Sequence, residues 1–197
     1  MGFELIVTPI EINVVVRTLN EEDWLRLCLE AVLSQRDVSF AVTIVDSGST
    51  DGTLRVARIY QARFPELVFL AHVEQFSPGD AINVGGRFLD SKYIVCLSAH
   101  CIPANDRWLF TLAHEMDAND HLAGSYGRQL PLTCTSSDDA RDMLNIFGAQ
   151  ARVNHKDIFF HNANSIVRRA VWERYPFDEN IQHLEDQAWA KTVLGEG

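Results

Sequence analysis

Short apolar runs recur along the first hundred residues, at 12–16, 41–45, 67–70 and 93–97. They are rich in β-branched residues and read as strands of a buried sheet. Between them the apolar positions space out as in helices. After the first run, Trp24, Leu27, Cys28, Ala31 and Val32 form one face, with Asp23, Arg26 and Glu30 off it. Asn20 is placed to cap that helix, with Asp23 three residues on. Residues 54–60 form a second helix, and a third opens at Pro78, a residue that suits a first helical turn. Strands alternating with helices predict a parallel α/β sheet.

The stretch from Ala41 to Thr53 organises the rest. Its strand breaks at Asp46 into small polar residues and glycines before the second helix starts, with Ser49, Thr50 or Asp51 able to cap it. Asp46 and Ser47 therefore stand at the carboxyl end of a strand, where open α/β sheets bind ligands. The loop lacks G-x-G-x-x-G, and its two carboxylates would repel a bare diphosphate. Asp46 suits a ribose or a base; the plainer alternative is a solvated turn acid.

The second half is less regular. A helix is expected over 108–116, a short strand over 123–126, a last strand over 162–167 and a helix over 168–175. Residues 132–160 have no clean period and read as an insert or lid without assigned elements. A final helix opens at His183-Leu184-Glu185-Asp186-Gln187.

Composition narrows the possibilities. A net charge of −10 argues against nucleic acid as the main partner, because binding a phosphate backbone needs a positive face. No apolar run nears the roughly 20 residues that span a bilayer. Residues 1–6 lack the basic region and cleavage site of a signal peptide. The four cysteines, Cys28, Cys96, Cys101 and Cys134, make no C-x-x-C pair and are expected to be reduced, as in a cytoplasmic protein.

Four blocks in this order resemble a family 2 glycosyltransferase of the GT-A fold. They are Val15-Val16-Arg17-Thr18-Leu19-Asn20-Glu21, the Val45 to Thr53 block, the Phe76 to Gly85 block with Asn83, and Phe177-Asp178-Glu179 followed by Glu185-Asp186. Gly127-Arg128-Gln129-Leu130-Pro131 is similar to the branch that includes rhamnosyltransferases of surface-polysaccharide assembly. The resemblance implies a single domain over 1–197, a Rossmann-like open sheet flanked by helices and mixed towards the C-terminus. A nucleotide-binding half would cover about 1–105 and an acceptor half about 106–197. Relatives carry more chain after the Glu-Asp helix, so the acceptor half is expected to be cut short.

The implied activity is inverting transfer of a sugar from a nucleoside-diphosphate sugar to an acceptor hydroxyl, in bacterial polysaccharide or glycan synthesis. The implied donor site is Thr18, Asn20, Glu21, Asp46, Ser47, Asn83 and Ser98, with Asp51 shaping the loop and Arg128 balancing phosphate charge. Arg168 and Arg169 are further candidates for that charge. Asn162, Asn164, Trp172 and Trp189 are candidates for the acceptor side, though such tryptophans also fit a core. Asp186 would be the base, with Glu185 as orienter or acceptor ligand. The acceptor would be a glycan or lipid-linked, which allows a peripheral place at the inner face of a membrane.

One block departs from the family. Where relatives carry D-x-D or S-x-D, this chain has Ser98-Ala99-His100, with Ile102-Pro103 holding the register. His100 then stands for the metal-binding carboxylate. A neutral imidazole suits manganese better than magnesium. An imidazolium would instead meet the diphosphate directly. A strand-end histidine without either role is the plain alternative. The same departure supports a rival class, a non-catalytic sugar-nucleotide or glycan-binding module on the same fold.

Overall fold

A computed structural model describes residues 11–150 and 158–195. The expectations for residues 1–6, and those for 151–157 within the irregular segment, lie outside the described residues.

The first half alternates as the pattern predicts: β1 (Ile12–Thr18), α1 (Glu22–Leu33), β2 (Phe40–Asp46), α2 (Thr53–Arg63), β3 (Val68–His72), α3 (Pro78–Phe88) and β4 (Tyr93–Ser98). Then follow α4 (Trp108–Ala118), β5 (Gly124–Tyr126), α5 (Ser137–Ile146), β6 (Asn164–Arg168), α6 (Arg169–Arg174) and α7 (Glu185–Gly195). Six strands form one sheet in the order β3-β2-β1-β4-β6-β5. The first four are parallel, whereas β6 is antiparallel to both β4 and β5. The sheet is therefore mixed towards the C-terminus.

Alternating side chains of the strands feed two cores. Val14, Val16, Val42, Ile44, Val95 and Leu97 meet Leu25, Leu29, Leu109 and Met116 on one face, under α1 and α4. Val15, Val45, Ile94 and Cys96 meet Ile82, Trp172, Phe177 and Trp189 on the other, under α3, α6 and α7. At roughly 1.5–3 kcal/mol for each fully buried large aliphatic or aromatic side chain, these two layers carry most of the driving force for folding. Helix α3 lies close to the sheet: a Cβ on Gly85 would come 2.4 Å from Val15 Cγ1. The neighbour that needs this glycine is thus β1 itself.

Three local expectations change. The buried stripe of α1 is Leu25, Cys28, Leu29 and Val32, rotated from the expected face, and Trp24, Leu27 and Ala31 are only half-buried. Asn20 does not cap α1: Glu21 holds that position without a side-chain hydrogen bond, and Asn20 takes φ 56°. The irregular segment contains α5, capped by Ser136, whose Oγ accepts from the Asp139 N–H. The four cysteines are free thiols, and burial pushes Cys96 up to about 12 and Cys101 up to about 11, so neither is a nucleophile at neutral pH.

Candidate functional site

Parallel register brings the ends of β1, β2 and β4 level. Thr18 pairs with Asp46 across β1–β2, and Arg17 with Ser98 across β1–β4. Strand order reverses around β1, so this edge is the topological switch point of the sheet. Asp46 is 0% exposed; its Oδ2 accepts the N–H groups of Gly48 and Ser49 at 3.0 and 3.1 Å. His72 Nδ1, at the end of β3, lies 3.6 Å from the same oxygen. Asp46 Oδ1, Thr18 Oγ1 and Ser47 Oγ are buried with no hydrogen-bond partner among the described residues. Buried polar atoms are normally satisfied, because an unmade hydrogen bond costs about 1–3 kcal/mol. With the buried Arg17 Nε, these unpaired atoms give this edge of the sheet unused hydrogen-bonding capacity.

The loops above this edge are tied to each other by side chains. Asn20 Oδ1 accepts the Thr50 N–H at 2.8 Å, and the Asn20 N–H donates to Ser49 Oγ at 2.9 Å. The Glu21 N–H donates to Thr53 Oγ1 at 2.7 Å. Asp51 accepts from the Thr53 N–H and hydroxyl and from the Glu22 N–H, bridging the start of α2 to the start of α1. The Thr53 hydroxyl holds the Asp51 carboxyl below the usual range. Glu22 returns the tie through Gly52. Helix α2 thus begins at Thr53 with Gly52 at its cap position, and Asp51 works as a strut between two loops.

His100 sits at the exit of β4, about half exposed, with Nδ1 2.7 Å from Glu21 Oε1. If Nδ1 carries the proton, Nε2 keeps its lone pair. That is the arrangement carboxylates impose on metal-binding histidines. Among the described residues no group of three or more His, Cys, Asp or Glu converges to hold an ion.

The acid pair opens α7. Glu185 is buried, its Oε1 accepting from Arg17 Nη1 at 3.2 Å and from Asn162 Nδ2 at 3.4 Å. Asp186 is half-buried; its Oδ2 accepts the Asn162 N–H at 3.1 Å and its Oδ1 the Gln187 N–H at 2.8 Å. His161 stands beside the pair. Its Nδ1 accepts from the Ala163 N–H and lies 2.9 Å from Gln129 Nε2. Burial holds its imidazole below the ordinary 6.5, against the opposing pull of Asp186. Sequence reasoning missed both Arg17 and His161 as members of the site.

Several candidates lie elsewhere. Asn83 is buried, and its amide is fully used: it donates to Phe177 O and Glu179 Oε1 and accepts from Trp172 Nε1 and the Phe177 N–H. It ties α3 to the chain before α7 in place of the expected substrate contact. Arg168 and Arg169 stand at the opposite end of the sheet, because β6 is antiparallel and Arg168 pairs with Tyr93 at the start of β4. Both guanidinium groups are taken up by main-chain carbonyls, among them Met116 O and Leu89 O. Trp172 and Trp189 are core residues, and Asn164 Oδ1 accepts from Trp108 Nε1. Arg128 is exposed on the exit from β5. Asn162 alone of the acceptor-side candidates touches the acid pair.

Comparison with known proteins agrees with this geometry. The model of glycosyl transferase family 2 matches residues 13–175. A glycosyltransferase of Haloferax volcanii, AglE, is 31% identical over 191 residues, covering 94% of this chain and 62% of that protein. The mannosyltransferase PcManGT from Pyrobaculum calidifontis, solved in complex with GDP-Man and Mn2+, superposes with a TM-score of 0.74 at 20% identity, covering 95% of this chain and 52% of that one. S. aureus TarS superposes with a TM-score of 0.70 at 20% identity, covering 94% of this chain and 55% of that structure. The chain therefore spans somewhat over half the length of these relatives, and the fold it shares with them is GT-A. By the match over residues 13–175, with the sheet and loop geometry that accompanies it, the chain belongs to glycosyl transferase family 2.

Proposed function

We propose that the protein is an inverting glycosyltransferase whose donor, a nucleoside-diphosphate sugar, lies across the carboxyl ends of β1, β2 and β4. The observation that carries this reading is the set of buried, unpaired atoms Thr18 Oγ1, Asp46 Oδ1 and Ser47 Oγ on that edge. A carboxylate flanked by hydroxyls suits the N–H and carbonyl groups of a base or the hydroxyls of a ribose. Asn20, Glu21 and Asp51 shape the loops over the same edge, and Ser98 and His100 stand beside it.

Glu185 is buried and bound to the Arg17 guanidinium, whereas Asp186 is half-buried and bound only to main-chain N–H groups, which favours Asp186 as the acid that meets an acceptor. As the acceptor oxygen attacks the anomeric carbon, its proton passes to the Asp186 carboxylate. The bond from that carbon to the diphosphate oxygen breaks, and the nucleoside diphosphate leaves with the electron pair. A placed carboxylate supplies about 10²–10⁴-fold in such a step.

A divalent ion fits the donor set as His100 Nε2, supported by Glu21, together with the donor's own oxygens. Imidazole favours manganese over magnesium. Such an ion would neutralise charge on the leaving diphosphate; PcManGT is named with Mn2+ and GDP-Man. The likeness of Gly127 to Pro131 to the rhamnosyltransferase branch supports a glycan or lipid-linked acceptor and a place at the cytoplasmic membrane face. No helix among the described residues is long and apolar enough to cross a membrane.

The experiment is a panel of radiolabelled UDP-, GDP- and dTDP-sugars with the wild type and Asp186→Asn. The expected result is transfer or donor hydrolysis that falls about a hundredfold or more in Asp186→Asn while donor affinity is kept. Tight binding of a donor with no turnover by the wild type would favour the binding-module reading.

A further inference from the structure

Arg17 touches three segments that meet at the acid pair. Its Nη1 donates to Glu185 Oε1 at 3.2 Å, and its Nη2 donates to Ser98 Oγ at 3.3 Å and to Asn162 O at 3.2 Å. Its side chain is 12% exposed and that of Glu185 8%. The backbone behind it is fixed on both sides, paired with Val45 in β2 and Ser98 in β4, and its carbonyl accepts the Ala99 N–H. The guanidinium therefore reaches from the centre of the sheet to join the turn at residue 162 to the start of α7.

Residue 162 is the link. Arg17 holds its carbonyl, while its N–H donates to Asp186 Oδ2 and its Nδ2 to Glu185 Oε1. The remaining Asn162 Oδ1 accepts from Ser165 Oγ in β6. Arg17 thus acts on Asp186 through Asn162 and on Glu185 directly. Two adjacent acids at a helix start are chemically alike; this clamp makes them unlike, because one is bound to a guanidinium and the other only to N–H groups. A planar fork presents its donors in a fixed geometry spread over two nitrogens, whereas an ammonium offers rotatable donors from a single point.

We infer that Arg17 is a positioning residue for transfer: it locks Glu185 as a fixed counter-ion and, through Asn162, sets the place of the Asp186 carboxylate. The inference rests on the proposal that Asp186 is the base. A misplacement of a reacting group by about 1 Å costs on the order of a hundredfold, so a clamp of this kind is felt in kcat. It need not be felt in donor binding, since Arg17 reaches Ser98 from the side of the acid pair.

The test compares Arg17→Lys, Arg17→Met, Glu185→Gln and the double variant Arg17→Met/Glu185→Gln. The double variant matters because it removes the buried charge that Arg17→Met alone would strand. The first readout needs no substrate: amide exchange at Asn162, followed by NMR. Its N–H is expected to exchange about tenfold faster or more in the double variant than in Glu185→Gln, with Arg17→Lys between. Unchanged exchange would overturn the clamp. The second readout is nucleotide release from UDP-GlcNAc and GDP-mannose. The double variant is expected to lose about thirtyfold in kcat relative to Glu185→Gln, with donor KM within about threefold and part of kcat recovered by Arg17→Lys. Equal kcat in the double variant and Glu185→Gln would make Arg17 a mere counter-ion. A raised donor KM with kcat kept would make it a phosphate ligand; either result overturns the inference. Asp186→Asn runs alongside: full turnover there removes the base reading, while Asn162 exchange still decides whether Arg17 holds the turn.

Discussion

The loops over β1 and β2 and the segment around α5 face the same end of the sheet but are built in opposite ways. Over β1 and β2, the N–H groups of Asn20, Glu21, Glu22, Gly48, Ser49, Thr50, Gly52 and Thr53 each donate to a side chain of the same two loops. Around α5 the helix buries no residue, and Leu130, Leu132, Leu144 and Ile146 are exposed. It is anchored by the rings of Phe147, Tyr126, Phe159 and His161, which meet edge-on or tilted. A network of short polar ties fixes each backbone atom, whereas an aromatic contact fixes only a distance. The proposed nucleotide site lies over the first region. The second is held to the sheet through its aromatic anchor.

The comparison breaks most readily at Asn83, which ties α3 beneath the rigid region to the chain before α7. Asn83→Leu leaves the Trp172 Nε1, Phe177 N–H and Phe177 O groups buried without partners. It is expected to lower unfolding free energy by about 3 kcal/mol or more in urea titration, at about 1–3 kcal/mol per stranded group. A loss below about 1 kcal/mol would show that water replaces the amide. Asp51→Ala tests the rigid loops themselves. Removing the strut between α1 and α2 should lower Tm. The same variant should speed amide exchange at Glu22 and Thr53 but leave residues of α5 unchanged.

His161 sharpens the boundary between the two regions. Its folded imidazole titrates below the unfolded value of 6.5, so the unfolded chain takes up the proton first. Stability contributed by neutral His161 is therefore present above 6.5 and is lost as pH falls from there towards the folded value. His161→Gln should show a shallower decline in Tm over that window than the wild type. Parallel curves would mean the imidazole is not held neutral. The smallest effect is expected at α5, where Leu144→Ser should change stability by about 0.5 kcal/mol or less.

The two regions also differed in how far the sequence disclosed them. The rigid loops are written in local code: β-branched runs ending in Asp, Ser, Gly and Thr specify strand ends, and Asp46 and Asp51 lie where their oxygens reach nearby N–H groups. Helix α5 is not legible in the sequence although Ser136 followed by Asp139 is an N-terminal capping pattern, because its apolar residues do not pack in a single buried stripe. Arg17 carries no such signal: its partner Glu185 is 168 residues away. Asn83 stood in a block shared with a known family, yet its amide turns towards Phe177 and Trp172, a contact only tertiary structure reveals. Arg168 and Arg169 lie far from the candidate donor edge because the direction of β6 is set by pairing and not by its residues.

The central claim, a nucleotide-diphosphate site at the joined ends of β1, β2 and β4, is tested most directly by calorimetry with UDP, GDP and dTDP on the wild type and Asp46→Ala. The account predicts that at least one nucleotide binds the wild type and that Asp46→Ala, folded, loses about 1–3 kcal/mol of that affinity. Equal affinity in the folded variant, or no binding of any nucleotide by the wild type, would contradict it.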